Sequence, residues 1–250
     1  MRVDLNSDMG EAFGPWAMGD DAALIGIVTS ANVACGMHAG DPDVMVATMT
    51  RAAEAGVNIG AHPGFADLKG FGRRRMTLPD AELRALVAYQ VGAAAGIARA
   101  VGAPLRHLKL HGALANMCAE DEAMARTCYT AALDACPDLT LMVIAATAQD
   151  RAARALGVPV VAEIFADRAY NPDATLVDRS KPGAVIHDGD AAAERILAML
   201  RAGAILAEDE ARIDTPIDTI CLHGDTPGAV AMARTIRDRL EAAGVTVAPF

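Results

Sequence analysis

Positive charge is in short supply in this chain. Its 22 Lys and Arg face 32 Asp and Glu, a formal net charge of −10. A surface of that sign repels nucleic-acid phosphates and anionic membranes, which excludes both as partners. Aromatics make up only 4% of the residues, too few for a base-stacking platform. The core is therefore built from Ala, Val, Leu, Ile and Met in a chain that is 53% hydrophobic. Long apolar runs are missing, so no stretch is expected to span a bilayer. The opening Met1-Arg2-Val3-Asp4-Leu5 enters a strand-like alternation without an apolar signal segment. The five cysteines are scattered and form no Cys-x-x-Cys pair, which is the pattern of reduced thiols in a cytoplasmic protein. There is no P-loop, no serine nucleophile elbow and no His-Glu-x-x-His helix, which argues against serine nucleophiles and thermolysin-like zinc sites. The acidic start is not a calcium loop either, because Met9 and Pro15 stand where such a loop needs glycine and glutamate.

What the chain has is polar residues at strand ends. In His107-Leu108-Lys109-Leu110-His111, strand parity puts His107, Lys109 and His111 on one face and the leucines on the other. Three titratable groups on one face are costly in an apolar core, and sensible if that face lines a solvated pocket. Residues 3–11 repeat the parity: Asp4, Asn6 and Asp8 share a face, and Glu11 follows a glycine turn. For Asp4, loop capping is as good a reading as function. A second strand carries Ser30 and Asn32 and ends in Gly36-Met37-His38-Ala39-Gly40, with Asp41 and Pro42 set to cap the next helix. A third, 57–62, delivers His62, and a sixth delivers Glu163 and then Asp167, Arg168 and Tyr170. A seventh ends in His223-Gly224-Asp225. The long stretch 63–76, with Arg73, Arg74 and Arg75, is a candidate lid able to clamp phosphate or carboxylate, with a solvated charge run as the competing reading. The stretch from Arg168 to about Ile186, with Arg179 and Lys181, is a second candidate lid.

Helix–glycine–strand junctions recur at Gly56, Gly102, Gly157, Gly203 and Gly244, and no linker or low-complexity segment divides the chain. Alternating strands and helices predict a parallel sheet with right-handed crossovers. The fold class is thus α/β: one domain over residues 1–250, a distorted parallel (β/α) barrel of about seven strands. In such a barrel all strand C-termini meet at one rim, where sites are built. Asp8 and Glu163 are then candidates for base, water positioner or metal ligand. His38, His62 and His111 can move protons near neutral pH, and Lys109 can neutralise an oxyanion or bind phosphate. Asn6 and Asn32 suit hydrogen bonds to an amide or carboxylate. A His/Asp metal site assembled from separate strands stays open, and no metal is identified.

Seven ordered motifs carry a resemblance over nearly the whole length. They are residues 4–11, 30–41, 60–65, 70–74, 109–114, 163–170 and 222–225. In these the chain resembles the LamB/YcsF family of prokaryotic 5-oxoprolinase A subunits, with Leu110 and Ala115 where the family pattern has proline and tyrosine. The resemblance implies a distorted seven-stranded barrel like that of glycoside hydrolases and polysaccharide deacetylases. It implies ATP-dependent opening of 5-oxo-L-proline to L-glutamate together with B and C subunits, ATP entering as co-substrate with Mg2+ and with no tightly bound organic cofactor. On that reading Asp8, His38, His62, Lys109, His111 and Glu163 are catalytic. Asn6, Glu11, Asn32, Arg73, Arg74, Asp167, Arg168, Tyr170, His223 and Asp225 bind substrate. Two competitors remain: a metal-dependent amidohydrolase or deacetylase on the same barrel, and a non-catalytic lactam-binding subunit. Apolar helix faces leave a homo-oligomer open as well.

Overall fold

The computed structural model describes residues 1–207, 209, 211–224 and 228–250. The chain begins β1 (Arg2–Met9), α1 (Asp21–Ile25), β2 (Ser30–Ala34), α2 (Pro42–Glu54) and β3 (Asn58–His62). It continues α3 (Asp80–Ala100), β4 (Leu105–Lys109), α4 (Gly112–Glu120), α5 (Glu122–Ala135), β5 (Thr140–Ile144), α6 (Ala148–Ala155) and β6 (Val160–Phe165). It ends α7 (Gly189–Ala202), β7 (Ala204–Leu206), β8 (Arg212–Asp214), β9 (Thr219–Cys221), α8 (Ala229–Ala242) and β10 (Thr246–Val247).

The predicted barrel is present. Parallel pairing runs β1-β2-β3-β4-β5-β6-β9 and closes from β9 back onto β1, with β10 pairing at Arg2 and Val3. Closure leaves no sheet edge between the seven barrel strands, which removes the pairing hazard of an open sheet. Along each strand alternate residues serve two different environments. Leu5, Val33, Ile59, Leu108, Leu141, Val143 and Ile164 are buried in one apolar cluster with helix residues such as Met49, Val87, Val91 and Ile236. The intervening residues fill the barrel, and near its base they are polar. Asp4 accepts hydrogen bonds from Thr29 Oγ1 (2.6 Å), Ser30 Oγ (2.7 Å) and Thr219 Oγ1. Asp4 therefore ties β1, β2 and β9 together, which decides for the structural role. Burial pushes its carboxyl pKa up, with the three hydroxyl donors opposing.

Gly60 on β3 leaves space for the His107 ring: a Cβ there would lie 2.1 Å from His107 Nε2. The ring of the C-terminal Phe250 stands edge-on to His107, 5.5 Å away, at the end of the barrel opposite the strand C-termini.

Several expectations need correction. Pro79 occupies the N-cap of α3 without a side-chain hydrogen bond. The sequence reading has no counterpart for α4, and Asp121 caps the following α5 by accepting from the backbone N–H groups of Ala123 and Met124. Between α7 and β9 lies an unpredicted antiparallel pair, β7 and β8. The stretch 63–76 is fastened down rather than a free lid. Gln90 exchanges hydrogen bonds with Gly64 N and O, Asp67 takes Gly70 N and the Arg74 guanidinium, and Gly72 O receives Ala113 N. The second expected lid is tied down at its base, since buried Arg168 donates to Ala184 O and Val177 O across it. No helix among the described residues is long and apolar enough to cross a membrane.

Candidate active site

The strand C-termini surround a cavity of about 510 Å³, well within the size of small-molecule sites. Its walls include Asp8, Glu11, His62, Lys109, His111, Arg73, Arg168, Arg179, Lys181 and His223. They come from β1, β3 and β4 and from the loops after β1, β3, β4, β6 and β9, as the rim argument requires.

Lys109 is the floor. Its Nζ lies 2.8 Å from Glu163, 2.9 Å from Asp8 Oδ1, 3.0 Å from Cys221 Sγ and 3.3 Å from Asn6 Oδ1. Burial alone would discharge this ammonium, but Asp8 and Glu163 outweigh it and hold its pKa well above the ordinary value. The two carboxyls part company. Burial raises both, yet His62 and Lys109 pull Asp8 well below the usual carboxylate range. At Glu163 burial prevails over Lys109 and the pKa is raised. One carboxylate is thus fixed as an anion while its neighbour is moved toward the range where proton transfer is useful.

Beside this ion cluster stand three imidazoles. His62 Nδ1 donates to Lys109 O (2.8 Å), and His111 Nε2 donates to Phe71 O (2.9 Å), since a carbonyl can only accept. Their other nitrogens, His62 Nε2 and His111 Nδ1, face each other at 2.9 Å. His38 stacks on His111 with ring centroids 3.6 Å apart. Gly72, at φ +62°, permits this crowding, because a Cβ there would come within 2.7 Å of His38 Cβ. Burial, then the neighbouring imidazoles, hold His38 well below its ordinary pKa, and burial brings His111 to about 3. Glu11, His38, His62 and His111 each place one donor atom within 4.8 Å of the others; Asp8, Cys221 and His223 form a second such group.

On the far wall His223 Nδ1 meets Asp167 at 2.7 Å, and its Nε2 faces Arg179 at 3.2 Å. Accepting from Arg179 leaves Nδ1 as the protonated nitrogen. Burial raises the Asp167 pKa, but His223 overcomes this and the carboxyl is held low.

The structure sorts the predicted site residues by depth. Asp8, Glu11, His62, Lys109, His111, Arg73, Arg168 and His223 line the cavity. Glu163, Asp167 and His38 stand directly behind those walls. Asn6 and Asn32 lie beneath, where Asn32 Nδ2 donates to Asp8 Oδ1 (2.9 Å) and Asn6 Oδ1 (2.8 Å); they hold the cluster rather than a ligand. Arg74 turns away to Asp67, and Tyr170 is buried with its hydroxyl accepting Phe165 N. Asp225 lies outside the described residues. Cavity-wall or floor groups that escape the sequence reading include Cys221, Phe71, Asn116, Asn171 and Asp178. Cys221 was readable from its parity with Thr219, whereas Phe71 acts through its carbonyl and Asn116 sits on the unforeseen α4.

The LamB/YcsF family model matches residues 3–250. The chain belongs to the LamB/YcsF family. It is 64% identical to a protein from Ruegeria pomeroyi named as the A subunit of 5-oxoprolinase, over all of this chain and 98% of that one. The crystal structure of the lactam utilization protein from Thermus thermophilus, 43% identical, matches this LamB/YcsF chain with a TM-score of 0.93, each covered in full. The family 4 carbohydrate esterase from Streptomyces lividans shares the barrel alone: 13% identity and a TM-score of 0.51 over 98% of this chain and 91% of that one.

Proposed function

We propose that this chain is the A subunit of an ATP-dependent 5-oxoprolinase, opening 5-oxo-L-proline to L-glutamate with B and C subunits while ATP is cleaved to ADP and phosphate. The observation that carries this reading is the end-to-end likeness to the Ruegeria pomeroyi protein that bears the 5-oxoprolinase name. The cavity is consistent with it.

A lactam is a resonance-stabilised amide with little ring strain, so its opening needs activation. Phosphorylation of the amide oxygen by ATP supplies it. Water then adds to the ring carbon, the ring nitrogen departs with a proton, and a second water hydrolyses the resulting acyl phosphate. Asp8, kept anionic, orients the attacking water, and Lys109 beside it balances the developing charge. Glu163, with its raised pKa, takes that water's proton through the Lys109 cluster and returns it to the departing nitrogen. His223, held by Asp167, contacts the substrate from the opposite wall. Arg73, Arg179 and Lys181 on the cavity wall receive the substrate carboxylate and the phosphoryl oxygens of MgATP.

Combining this chain with its B and C subunits, 5-oxoproline and ATP should yield glutamate and ADP together, with neither product formed when the chain is left out. No glutamate from that mixture, under conditions where the Ruegeria pomeroyi complex is active, refutes the reading. Glutamate without ATP favours the second reading, a metal-dependent amide hydrolase, to which the Glu11–histidine group gives support. Tight 5-oxoproline binding with no turnover would make the chain a lactam-binding subunit.

A further inference from the structure

The three imidazoles pose a hydrogen-bonding problem that protein atoms alone do not solve. Backbone carbonyls fix one N–H on His62 and one on His111, so in their neutral forms the facing nitrogens, 2.9 Å apart, both present lone pairs. Glu11 Oε1 stands 3.6 Å from His111 Nδ1 and 3.5 Å from His38 Nε2, and Asp8 Oδ2 is 3.2 Å from His62 Nε2. His38 is 1% exposed, and neither of its ring nitrogens has a hydrogen-bond partner among the described residues. Potential ligand atoms from four segments thus converge on one point.

We infer that Glu11, His38, His62 and His111 hold a divalent transition-metal ion, with zinc the chemistry that fits the donors best. Three observations agree. Tetrahedral zinc with Zn–N of about 2.0–2.1 Å spaces its ligand atoms about 3.3 Å apart; the His62–His111, His38–Glu11 and His111–Glu11 separations here are 2.9, 3.5 and 3.6 Å, and all four atoms lie within 4.8 Å of one another. Each of two imidazoles gives its second nitrogen to a backbone carbonyl, the outer contact that orients metal-ligating histidines. And His38, with no hydrogen bond of its own, gains a reason to be buried. The other donor group, Asp8, Cys221 and His223, lacks this character, because the Lys109 ammonium already sits 3.0 Å from Cys221 and 2.9 Å from Asp8.

Beside the cavity such an ion would polarise a lactam carbonyl or a water; that role, unlike the binding itself, rests on the 5-oxoprolinase reading.

The test uses the full chain, stripped with chelator and equilibrated with Zn2+ or Co2+. Elemental analysis should find equimolar metal, Co2+ should give a visible d–d spectrum, and the melting temperature should rise. His38→Gln and His62→Gln should each lower affinity by more than the roughly 10–100-fold typical of an outer-shell partner, with far-UV dichroism unchanged, while His223→Gln keeps the cobalt spectrum. Substoichiometric metal in the unmodified protein overturns the site, as does an imidazole 15N spectrum showing a proton shared by His62 and His111 that saturating Zn2+ does not alter. Cobalt absorption that survives the His38/His62 double variant, or that disappears in His223→Gln, also overturns it. Metal bound without lactam turnover in the complete complex would leave the site standing and remove the proposed function; turnover by metal-free protein would leave that function standing and remove the ion's part in it.

Discussion

At the scale of single residues, Lys109 is the group on which the others depend. It is a buried cation with buried carboxylates on two sides, and its loss would strand Asp8 and Glu163 without a counter-charge. Breaking a buried pair by removing one partner typically costs about 3–5 kcal/mol. Lys109→Met should therefore destabilise the protein by about that amount and abolish turnover in the complex. Urea denaturation reads the first effect and glutamate formation the second. Adding Asp8→Asn and Glu163→Gln to Lys109→Met should recover much of the stability and none of the activity. If the triple variant is no more stable than Lys109→Met, the stranded charges are not what the mutation exposes. Strand parity alone foretold that Lys109 and Asp8 would meet. Their split from Glu163 in protonation could not be foretold, because it follows from which carboxyl sits nearer His62.

At the scale of elements, strand parity was legible because a barrel strand has two unlike faces, one against helices and one against its own interior. Asn32 and Gly60 face His107 from neighbouring strands, as the pairing of β2 with β3 and β3 with β4 requires. Gly60 reads in the sequence as a weakness in a strand; its meaning comes only from the ring across from it. Gly60→Ala forces a methyl onto that ring, and overpacking of this kind costs typically about 1–3 kcal/mol. Thermal or urea unfolding should show such a loss, and Gly60→Ala combined with His107→Ala should lose less than the two single changes summed. Strict additivity would show that the two positions do not press on each other. The loops were the less legible part. A run of arginines looks like a mobile clamp, yet Arg74 is held by Asp67, Arg75 pairs with Glu120 on the cavity wall, and Arg73 lies over the Phe71 ring. Local sequence holds no sign of partners that lie on another element.

At the scale of the whole molecule, a barrel lined with neutral buried imidazoles must respond to acid. Burial, followed by the Lys109 and His62 charges, brings the His107 pKa down to about 3, and burial does the same for His111. The unfolded chain binds protons at both positions below about pH 6.5. Between that value and about 3 the unfolded state therefore holds more protons than the native one, and stability falls as pH falls. Each such group contributes a slope of about 1.4 kcal/mol per pH unit. Asp4 and Glu163, raised by burial, act in the opposite sense. They keep protons that the unfolded chain has released, so they favour the native state as pH drops toward their folded pKa values. A single substitution separates the two contributions. His107→Gln retains a donor for Asn32 Oδ1, which His107 Nε2 holds at 2.7 Å, and removes the titrating ring. With chelator present, urea unfolding of the two proteins across about pH 6.5 to 5 should show a shallower loss in His107→Gln, by up to about 1.4 kcal/mol per pH unit. Equal slopes would mean that His107 is protonated in the native barrel, and that the polar interior beneath the cavity accommodates a charge its neighbours were arranged to exclude.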